Sequence, residues 1–510
     1  MAPVICAVIG RTRHRMMQME IQEAARRGAK MIELRLDYLA KAPDFKRLLD
    51  KKPCPIVATL RRVEDGGRWK GSEDERLMLL RQAVVAGFDY VDLEIDTAAK
   101  IRRFGSVKRI VSYHNFQETP ADLEERYRAM CEIDADIVKI AVTPQKTTDN
   151  LRVLNLLKGA PKPTVVLCMG EIGLCTRILN ARQGSPYTYA SFNPERTIAP
   201  GMIPFKDLRS IYNYESINSE TRVFGVIGDP VSHSLSPVIH NGAFKKLGLN
   251  AVYVPFRVPR GELTAFLQGF QALPVEGLSV TIPHKEQAAK FAAKNDPSVE
   301  KIGAANTLVF KGKSSTAYNS DVPAAIESLT AAIAAIPGDD VFPLAKRTVL
   351  LLGAGGVARS IAYGLAEAGC QLIITNRTSE RAQKLAADVG CRSIEWGARH
   401  GVICDTVING TSIGMHPNVD ESPLHNSFLR PGLVVFDTIY TPETTLLLRD
   451  AQERGCHTLG GVDMFVRQAG LQFKLFTGQD PPLEFMTALV RRALSPVNYA
   501  KEENASENSQ

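Results

Sequence analysis

The chain has 510 residues, about three times the ~150 of a typical domain, and a single hydrophobic core rarely grows past roughly 250–300 residues, so it is multidomain. Apolar residues are 45% and charged residues 23%, which excludes a disordered or a fibrous chain. The net charge of +7, from 62 Lys and Arg against 55 Asp and Glu, is mild over this length, so neither nucleic acid nor a membrane is expected as partner.

No apolar run reaches the ~18–20 residues of a membrane helix. Met1 to Gly10 carries no basic leader and is not read as a secretory signal. The nine cysteines are dispersed without C-x-x-C pairs, which points to reduced thiols and a cytoplasmic protein. The nine histidines form neither H-E-x-x-H nor a zinc-like cluster with cysteines, so no metal is expected.

In chain order, β-rich runs come first at Val4–Ile9, Met31–Asp37, Pro55–Arg61 and Tyr90–Asp96. Others follow at Arg109–His114, Asp136–Val142, Thr164–Met169 and, more weakly, Tyr187–Phe192. Helical stretches such as Glu73–Ala86 and Pro120–Cys131 lie between them. Eight strand–helix units in ~210 residues is the arithmetic of a (β/α)8 barrel, with a doubly wound open sheet as the alternative.

These strands carry charges where buried parallel strands are usually apolar. Glu33, Arg35 and Asp37 are two apart and point to one side, and Ser112 and His114 share a side. Lys139 sits inside D-I-V-K-I-A-V. A buried, unpaired ammonium is costly and tends to lose its proton, and a neutral amine is what Schiff-base chemistry needs. A lysine neutralised by a nearby carboxylate for packing alone is the other reading. The charges gather toward strand C-terminal ends, where barrel enzymes do their chemistry.

E-L-R-L-D, T-L-R, S-Y-H-N-F, D-I-V-K-I-A-V-T-P and A-P-G, in this order over residues 3–215, resemble type I 3-dehydroquinate dehydratase. The resemblance implies that Lys139 forms an imine with the substrate ketone and that His114 is the general acid/base. It also implies that Glu33, Arg35, Arg61 and Arg177 line the substrate site. Two features depart from that family. Asp65 stands where it usually has the glutamate that partners the histidine, with Glu64 adjacent. Ile198 and Met202 stand where a hydroxyl and an amide usually contact substrate.

The polar stretch Asn213–Thr221 reads as a linker. Strand-like runs resume at Val223–Ile227, Val252–Phe256 and Leu278–Ile282, with a helical segment at Glu262–Leu273. The pattern breaks again around Pro337–Leu344. Then Thr348–Leu352 opens T-V-L-L-L-G-A-G-G-V-A-R-S-I-A, which fits G-x-G-x-x-A between a strand and a helix. Gly353 permits the tight turn, Gly355 the approach of a pyrophosphate, and Ala358 close helix–strand packing. The helix N-terminus offers free N–H groups to phosphates. The next strand, Gln371–Thr375, ends in Asn376, Arg377 and Thr378 rather than an acid. A guanidinium and a hydroxyl suit a 2′-phosphate, so NADP is expected over NAD.

S-H-S-L-S-P, S-V-T-I-P-H-K, G-A-A-N-T, Y-N-S-D, N-G-T-S-I-G-M and G-G-V-D-M-F-V-R-Q-A, over 222–495, resemble shikimate dehydrogenase. That resemblance makes Lys285 and Asp321 the catalytic pair. It gives Ser234, Ser236, Thr281, Asn306, Tyr440 and Gln468 to the polyhydroxy acid. Gly353, Ala354, Gly355, Gly356 and Val357 then hold NADP together with Asn376, Arg377, Thr378, Thr438 and Gly461. His284 before the lysine and Val322 after the aspartate are small departures.

The expectation is thus an α/β chain. A (β/α)8 barrel over 1–215 is followed by a two-lobed dehydrogenase. Its substrate lobe covers 222–330 and is completed by about 470–495; its Rossmann NADP lobe covers 340–469; 496–510 is a disordered tail. The whole resembles the bifunctional dehydratase–shikimate dehydrogenase family. By that resemblance the partners are small molecules: 3-dehydroquinate, 3-dehydroshikimate and shikimate. Two alternatives stay open: a quinate/shikimate dehydrogenase with a weakened barrel, and a non-catalytic quinate-pathway regulator.

Overall fold

The computed structural model describes residues 2–495 apart from 197, 271–272, 313 and 338–341. The expected disordered tail, 496–510, lies outside the described residues. Two compact units emerge: one runs to Pro237 and takes up Gly248–Val275, the other comprises Val238–Leu247 and the chain from Glu276.

The first unit begins with β1 (Val4–Ile9), β2 (Met31–Arg35), β3 (Ile56–Thr59) and β4 (Tyr90–Glu94). It continues with β5 (Lys108–Asn115), β6 (Ile137–Val142), β7 (Thr164–Cys168) and β8 (Tyr187–Ser191). These eight strands are parallel and lie in the order β7-β6-β5-β4-β3-β2-β1-β8, the succession of a (β/α)8 barrel. Intervening helices end where the sequence allows. Glu73–Ala86 starts with a reciprocal Ser72/Glu75 capping box and stops at Gly87 with φ 103°, a left-handed conformation that glycine adopts freely. The strand of E-L-R-L-D is shorter than expected. It ends at Arg35, because Leu36–Tyr38 turns into a 3-10 helix and carries Asp37 off the sheet.

The barrel's inward face changes character along the strands. Met31, Val57, Ile110, Ile137 and Tyr187 pack one apolar cluster. Two residues further on, the period-two pleat brings Glu33, Thr59, Ser112 and Lys139, all buried, to the same face. Packing therefore fills the lower barrel and leaves polar chemistry to the C-terminal mouth.

The polar stretch at 213–221 is not a free linker. Tyr214 is fully buried there and donates its hydroxyl to Asn180 Oδ1 at 2.9 Å, and Ile217 is buried as well. β9 (Arg222–Gly228) and β10 (Ala251–Arg257) follow as a parallel pair within the same unit. They are tied to the barrel. Glu262 accepts from Thr147 N and Oγ1 at 2.8 and 2.9 Å, and Arg257 bridges Glu171 and Asp229 at 2.8 Å each.

In the second unit, β11 (Val275–Val280), β12 (Lys294–Asn295), β13 (Thr307–Lys311) and β14 (Ser314–Tyr318) lie in the order β11-β13-β14-β12. A separate parallel sheet follows: β15 (Thr348–Leu352), β16 (Gln371–Thr375), β17 (Arg392–Ile394), β18 (Thr406–Asn409), β19 (Val434–Asp437) and β20 (His457–Leu459). Its order, β17-β16-β15-β18-β19-β20, is the 3-2-1-4-5-6 arrangement of a dinucleotide-binding Rossmann sheet. Val349 and Leu351 join one apolar cluster and Leu350 and Leu352 another, so β15 is buried on both faces. Among the described residues no helix is long and apolar enough to cross a membrane.

Candidate active sites

At the barrel mouth, Lys139 Nζ donates to Asp92 Oδ2 at 2.9 Å, with both side chains buried. The lysine is therefore not isolated, as its apolar strand suggested; its partner comes from β4, 47 residues earlier. Asp92 Oδ1 also accepts from Arg61 Nη2 at 2.7 Å and from Ser112 Oγ at 2.6 Å. Arg61 Nη1 reaches Glu94 Oε1 at 2.7 Å, and Arg76 Nη1 holds the other Glu94 oxygen at 2.9 Å. The Lys139 ammonium lies 4.1 Å from the centre of the Tyr189 ring, a cation–π contact.

One cavity is lined by Glu33, Arg35, Arg61, Asp65, His114, Lys139 and Arg177, so the structure brings all seven expected barrel residues together. Ile198 and Met202 line it as well, beside Phe116 and Met169. Arg35 is held in a two-bond fork by Asp37, at 2.9 and 2.8 Å. Of the two neighbouring acids, Asp65 lines the cavity and Glu64 points outward with 70% of its side chain exposed. Asp65 accepts from Arg62 Nε at 2.7 Å, and burial raises its pKa against the pull of that arginine. Gly66 is needed above the site: with φ 77°, a Cβ there would meet Phe116 Cζ at 2.1 Å.

His114 is half-buried, and its inaccessible Nδ1 has no hydrogen-bond partner among the described residues. Burial, then the Arg61 and Lys139 charges, push its pKa well below the ordinary imidazole value, so the ring is neutral at pH 7. Arg177 is fully buried. Among the described residues it donates to Pro200 O alone, at 3.2 Å, and its Nε has no partner; burial lowers its pKa to about 10. Among the described residues no carboxylate pairs with this guanidinium, whose N–H donors have the fork geometry that suits an anion.

In the second unit Lys285 Nζ and Asp321 Oδ2 form an ion pair at 2.5 Å. The turn at Thr281, where His284 N donates to Thr281 O at 2.9 Å, delivers Lys285 as first residue of the helix Lys285–Phe291. Asn306 Nδ2 donates to Asp321 Oδ1 at 2.8 Å and to Ser320 Oγ at 2.9 Å. Its Oδ1 accepts from Ser320 N and Thr307 Oγ1, both at 2.8 Å. The expected substrate ligand Asn306 thus has every hydrogen-bonding position taken by protein and orients Asp321. Tyr440 stacks on Phe465 at 4.7 Å, and Gln468 donates to Phe465 O at 3.1 Å. Ser234 and Ser236 lie in the first unit, where Ser236 N donates to Ser234 Oγ at 3.2 Å.

The glycine turn after β15 fits a dinucleotide. Gly353 has φ 110°, and a Cβ there would lie 2.8 Å from Gly410 O. Gly355 has nothing within 4 Å of its missing Cβ, an open cradle at the head of the helix Gly356–Glu367 that Ala354 and Val357 flank. Ala358 is fully buried against Gly410. Beyond β16, Arg377 and Thr378 are exposed, and Asn376 Nδ2 donates to Thr378 O at 2.9 Å, shaping the turn. Gly461 is pressed against Thr438 O and Ile439 O, each of which would lie 2.5 Å from a Cβ at this position, so only glycine brings this helix start to β19.

Sequence reading missed Asp92, Glu94 and Tyr189. The signal for the first two was present: Y-V-D-L-E places two acids at period two in a strand, the pattern that singled out E-L-R-L-D. Nothing in the sequence tells that Tyr189 covers Lys139.

Four family models match the chain. They are type I 3-dehydroquinase over residues 5–219, the shikimate dehydrogenase substrate binding domain over 226–308, shikimate/quinate 5-dehydrogenase over 338–399, and the shikimate 5'-dehydrogenase C-terminal domain over 461–491. A bifunctional 3-dehydroquinate dehydratase/shikimate dehydrogenase of Arabidopsis thaliana, named as chloroplastic, is 38% identical over 94% of this chain and 83% of its own length. A shikimate dehydrogenase (NADP(+)) of Moorella thermoacetica is 41% identical over 54% of this chain and 95% of its own. A crystal structure of a shikimate dehydrogenase in complex with NADP+ superposes with a TM-score of 0.51 at 35% identity, covering 55% of this chain and 98% of that one. Together with the barrel and the Rossmann sheet, these matches place the chain in the family of bifunctional 3-dehydroquinate dehydratase/shikimate dehydrogenases.

Proposed function

We propose that the chain performs two consecutive steps: the barrel dehydrates 3-dehydroquinate to 3-dehydroshikimate, and the residues after it reduce 3-dehydroshikimate to shikimate with NADPH. The observation that carries the first step is the meeting in one cavity of Lys139, neutral His114 and Arg177, whose guanidinium has no carboxylate partner among the described residues. Arg177 binds the substrate carboxylate. Lys139 passes a proton to Asp92, attacks the ketone and releases water; the imine takes that proton back and withdraws electrons from the adjacent C–H bond. His114 takes that proton and passes it to the departing hydroxyl, which leaves as a second water. Hydrolysis of the imine consumes one water and restores Lys139, so the net change is loss of one water. Asp65 orients His114 when the Gly66–Gly67 loop closes.

For the second step the Gly353–Val357 turn, Arg377, Thr378, Thr438 and Gly461 hold NADP. Bound NADPH supplies the hydride. Lys285, paired with Asp321, gives a proton to the oxygen of the reduced carbonyl. Within the second unit Thr281, Tyr440 and Gln468 hold the hydroxylated acid, since a polar site rejects analogues that leave its groups unpaired. Along the chain the dehydratase occupies 1–215, the substrate lobe 222–330 with 470–495, and the NADP lobe 340–469. The proposed compartment is the cytoplasm, supported by nine cysteines that are all free thiols; the Arabidopsis relative is named as chloroplastic.

Borohydride added with dehydroquinate should inactivate the dehydratase and label Lys139. A Lys139→Ala chain that dehydrates at the unaltered rate would remove this role. A second reading, a quinate/shikimate dehydrogenase with a weakened barrel, draws on the apolar Ile198 and Met202 in the dehydratase cavity. Turnover of quinate with NAD exceeding that of shikimate with NADP would favour it.

A further inference from the structure

Asn319 stands two residues before Asp321 and is buried. Its Oδ1 accepts from Asp321 N at 3.1 Å and Val322 N at 3.4 Å. These bonds start the helix Asp321–Ala334, whose N-cap residue Ser320 contributes no side-chain cap of its own. Its Nδ2 donates to Ala304 O at 3.0 Å and to Ser360 Oγ at 3.2 Å. Ser360 is fully buried one turn into the helix Gly356–Glu367, and its hydroxyl donates to Gly356 O at 3.2 Å.

The polarity of this chain of bonds is consistent. A hydroxyl has one proton to give, here to Gly356 O, and lone pairs to accept the Asn319 amide. Three side-chain bonds therefore run without a break from the first residue of the glycine-turn helix to the backbone of Asp321. Lys285 is drawn in as well, because Ala305 N donates to Lys285 O at 2.9 Å. Asn306 completes a crosswise clasp: its Oδ1 takes Ser320 N, while the Asn319 amide takes Ala304 O. Hydrogen bonds thus join the segments carrying Lys285, Asn306 and Asp321 to the helix head.

Resting on the reading of this unit as a dehydrogenase, we infer that Asn319 and Ser360 are positioning residues through which an occupied dinucleotide turn sets Lys285 and Asp321, so that dinucleotide and hydroxy acid bind cooperatively. Phosphates drawn onto the N–H groups at Gly355 and Gly356 shift that helix head, and the buried bonds transmit the shift to Asp321. Linkage makes the effect reciprocal: each ligand changes the affinity of the other by the same factor.

The test is a binding measurement on the full chain. Shikimate with NADPH forms a complex that cannot react, so the shikimate Kd is measured by calorimetry without NADPH and at saturating NADPH. In the unaltered chain NADPH should tighten shikimate by about fivefold or more. In Ser360→Ala, which keeps a good helix former and removes only the hydroxyl, the ratio should fall toward one while Kd for NADPH alone stays within about twofold. Asn319→Asp keeps the acceptor for Asp321 N and loses both donations, and should abolish the ratio likewise. A ratio of one in the unaltered chain, or a ratio retained in Ser360→Ala, overturns the inference. An unaltered chain that binds neither ligand instead overturns the dehydrogenase reading on which it rests.

Discussion

Asp92 and Lys139 form a buried ion pair at the C-terminal mouth of the barrel, 2.9 Å apart, and Asp92 simultaneously serves Arg61 at 2.7 Å. One carboxylate is thus shared by two buried cations, and Glu94 supplies a second negative charge to Arg61 at 2.7 Å. Burial alone would raise the Asp92 pKa; Arg61 and then Lys139 outweigh it and hold the group well below the usual carboxylate range. A depressed folded pKa contributes stability that is present above the unfolded value of ~3.9 and lost as pH falls below it.

Asp92→Asn should therefore destabilise the chain by about 3–5 kcal/mol at pH 7, because it leaves two buried cations short of a counter-charge. Adding Lys139→Met should recover part of that loss. Urea denaturation of both variants at pH 7 checks this, and a neutral single variant would show that Glu94 alone suffices for Arg61.

Neutral His114 predicts a pH profile. Its depressed pKa places full stability above the unfolded value of ~6.5, with decline as pH falls from there. The dehydratase kcat/KM should likewise stay flat from about pH 6.5 to 8, with the His114 limb below. A limb centred above about 6.5 and lost in His114→Asn would contradict the desolvated environment.

Arg177→Met should divide function from stability. Burial has lowered the Arg177 pKa to about 10, and no carboxylate partner is present among the described residues. Replacing this unsatisfied charge should raise stability by about 0.5–2 kcal/mol while dehydratase KM climbs steeply. A calorimetric Tm below that of the unaltered chain would assign Arg177 a structural duty instead.

Met202→Gln should lower the dehydratase KM by about threefold to tenfold with kcat nearly unchanged, the worth of one neutral hydrogen bond of ~0.5–1.5 kcal/mol. Ile198→Ser should act in the same direction, since both side chains line the cavity. Asp65→Glu should instead act on kcat, because a longer acid reaches His114 without deeper loop closure. Steady-state kinetics on the three variants separates these effects. An unchanged or raised KM in the first two means the substrate hydroxyls already have partners.

Arg377→Ala should weaken NADPH far more than NADH. The guanidinium is exposed, so the loss should fall below the roughly 2–5 kcal/mol of a desolvated charge pair. Fluorescence titration with both cofactors decides; equal losses would take Arg377 away from the 2′-phosphate.

Local patterning by itself determined the elements and the kind of chemistry. Val4–Ile9, Thr348–Leu352 and Gln371–Thr375 match their strands residue for residue, because a parallel strand buried on both faces must be continuously apolar and its ends are set by turn residues. Charges at period two, and glycines at fixed offsets after a strand, likewise speak through nearest neighbours, which is why Lys139, His114 and the Gly353–Val357 turn were legible. Only the tertiary structure decided the partners. Asp92 meets Lys139 because β4 and β6 flank β5 and point to one axis; Tyr214 turns a polar stretch into barrel packing; Asn319 finds Ser360 across 41 residues. Pairing in space depends on strand order, register and helix placement, which are set by the summed packing of the whole unit, and no window of sequence contains that sum.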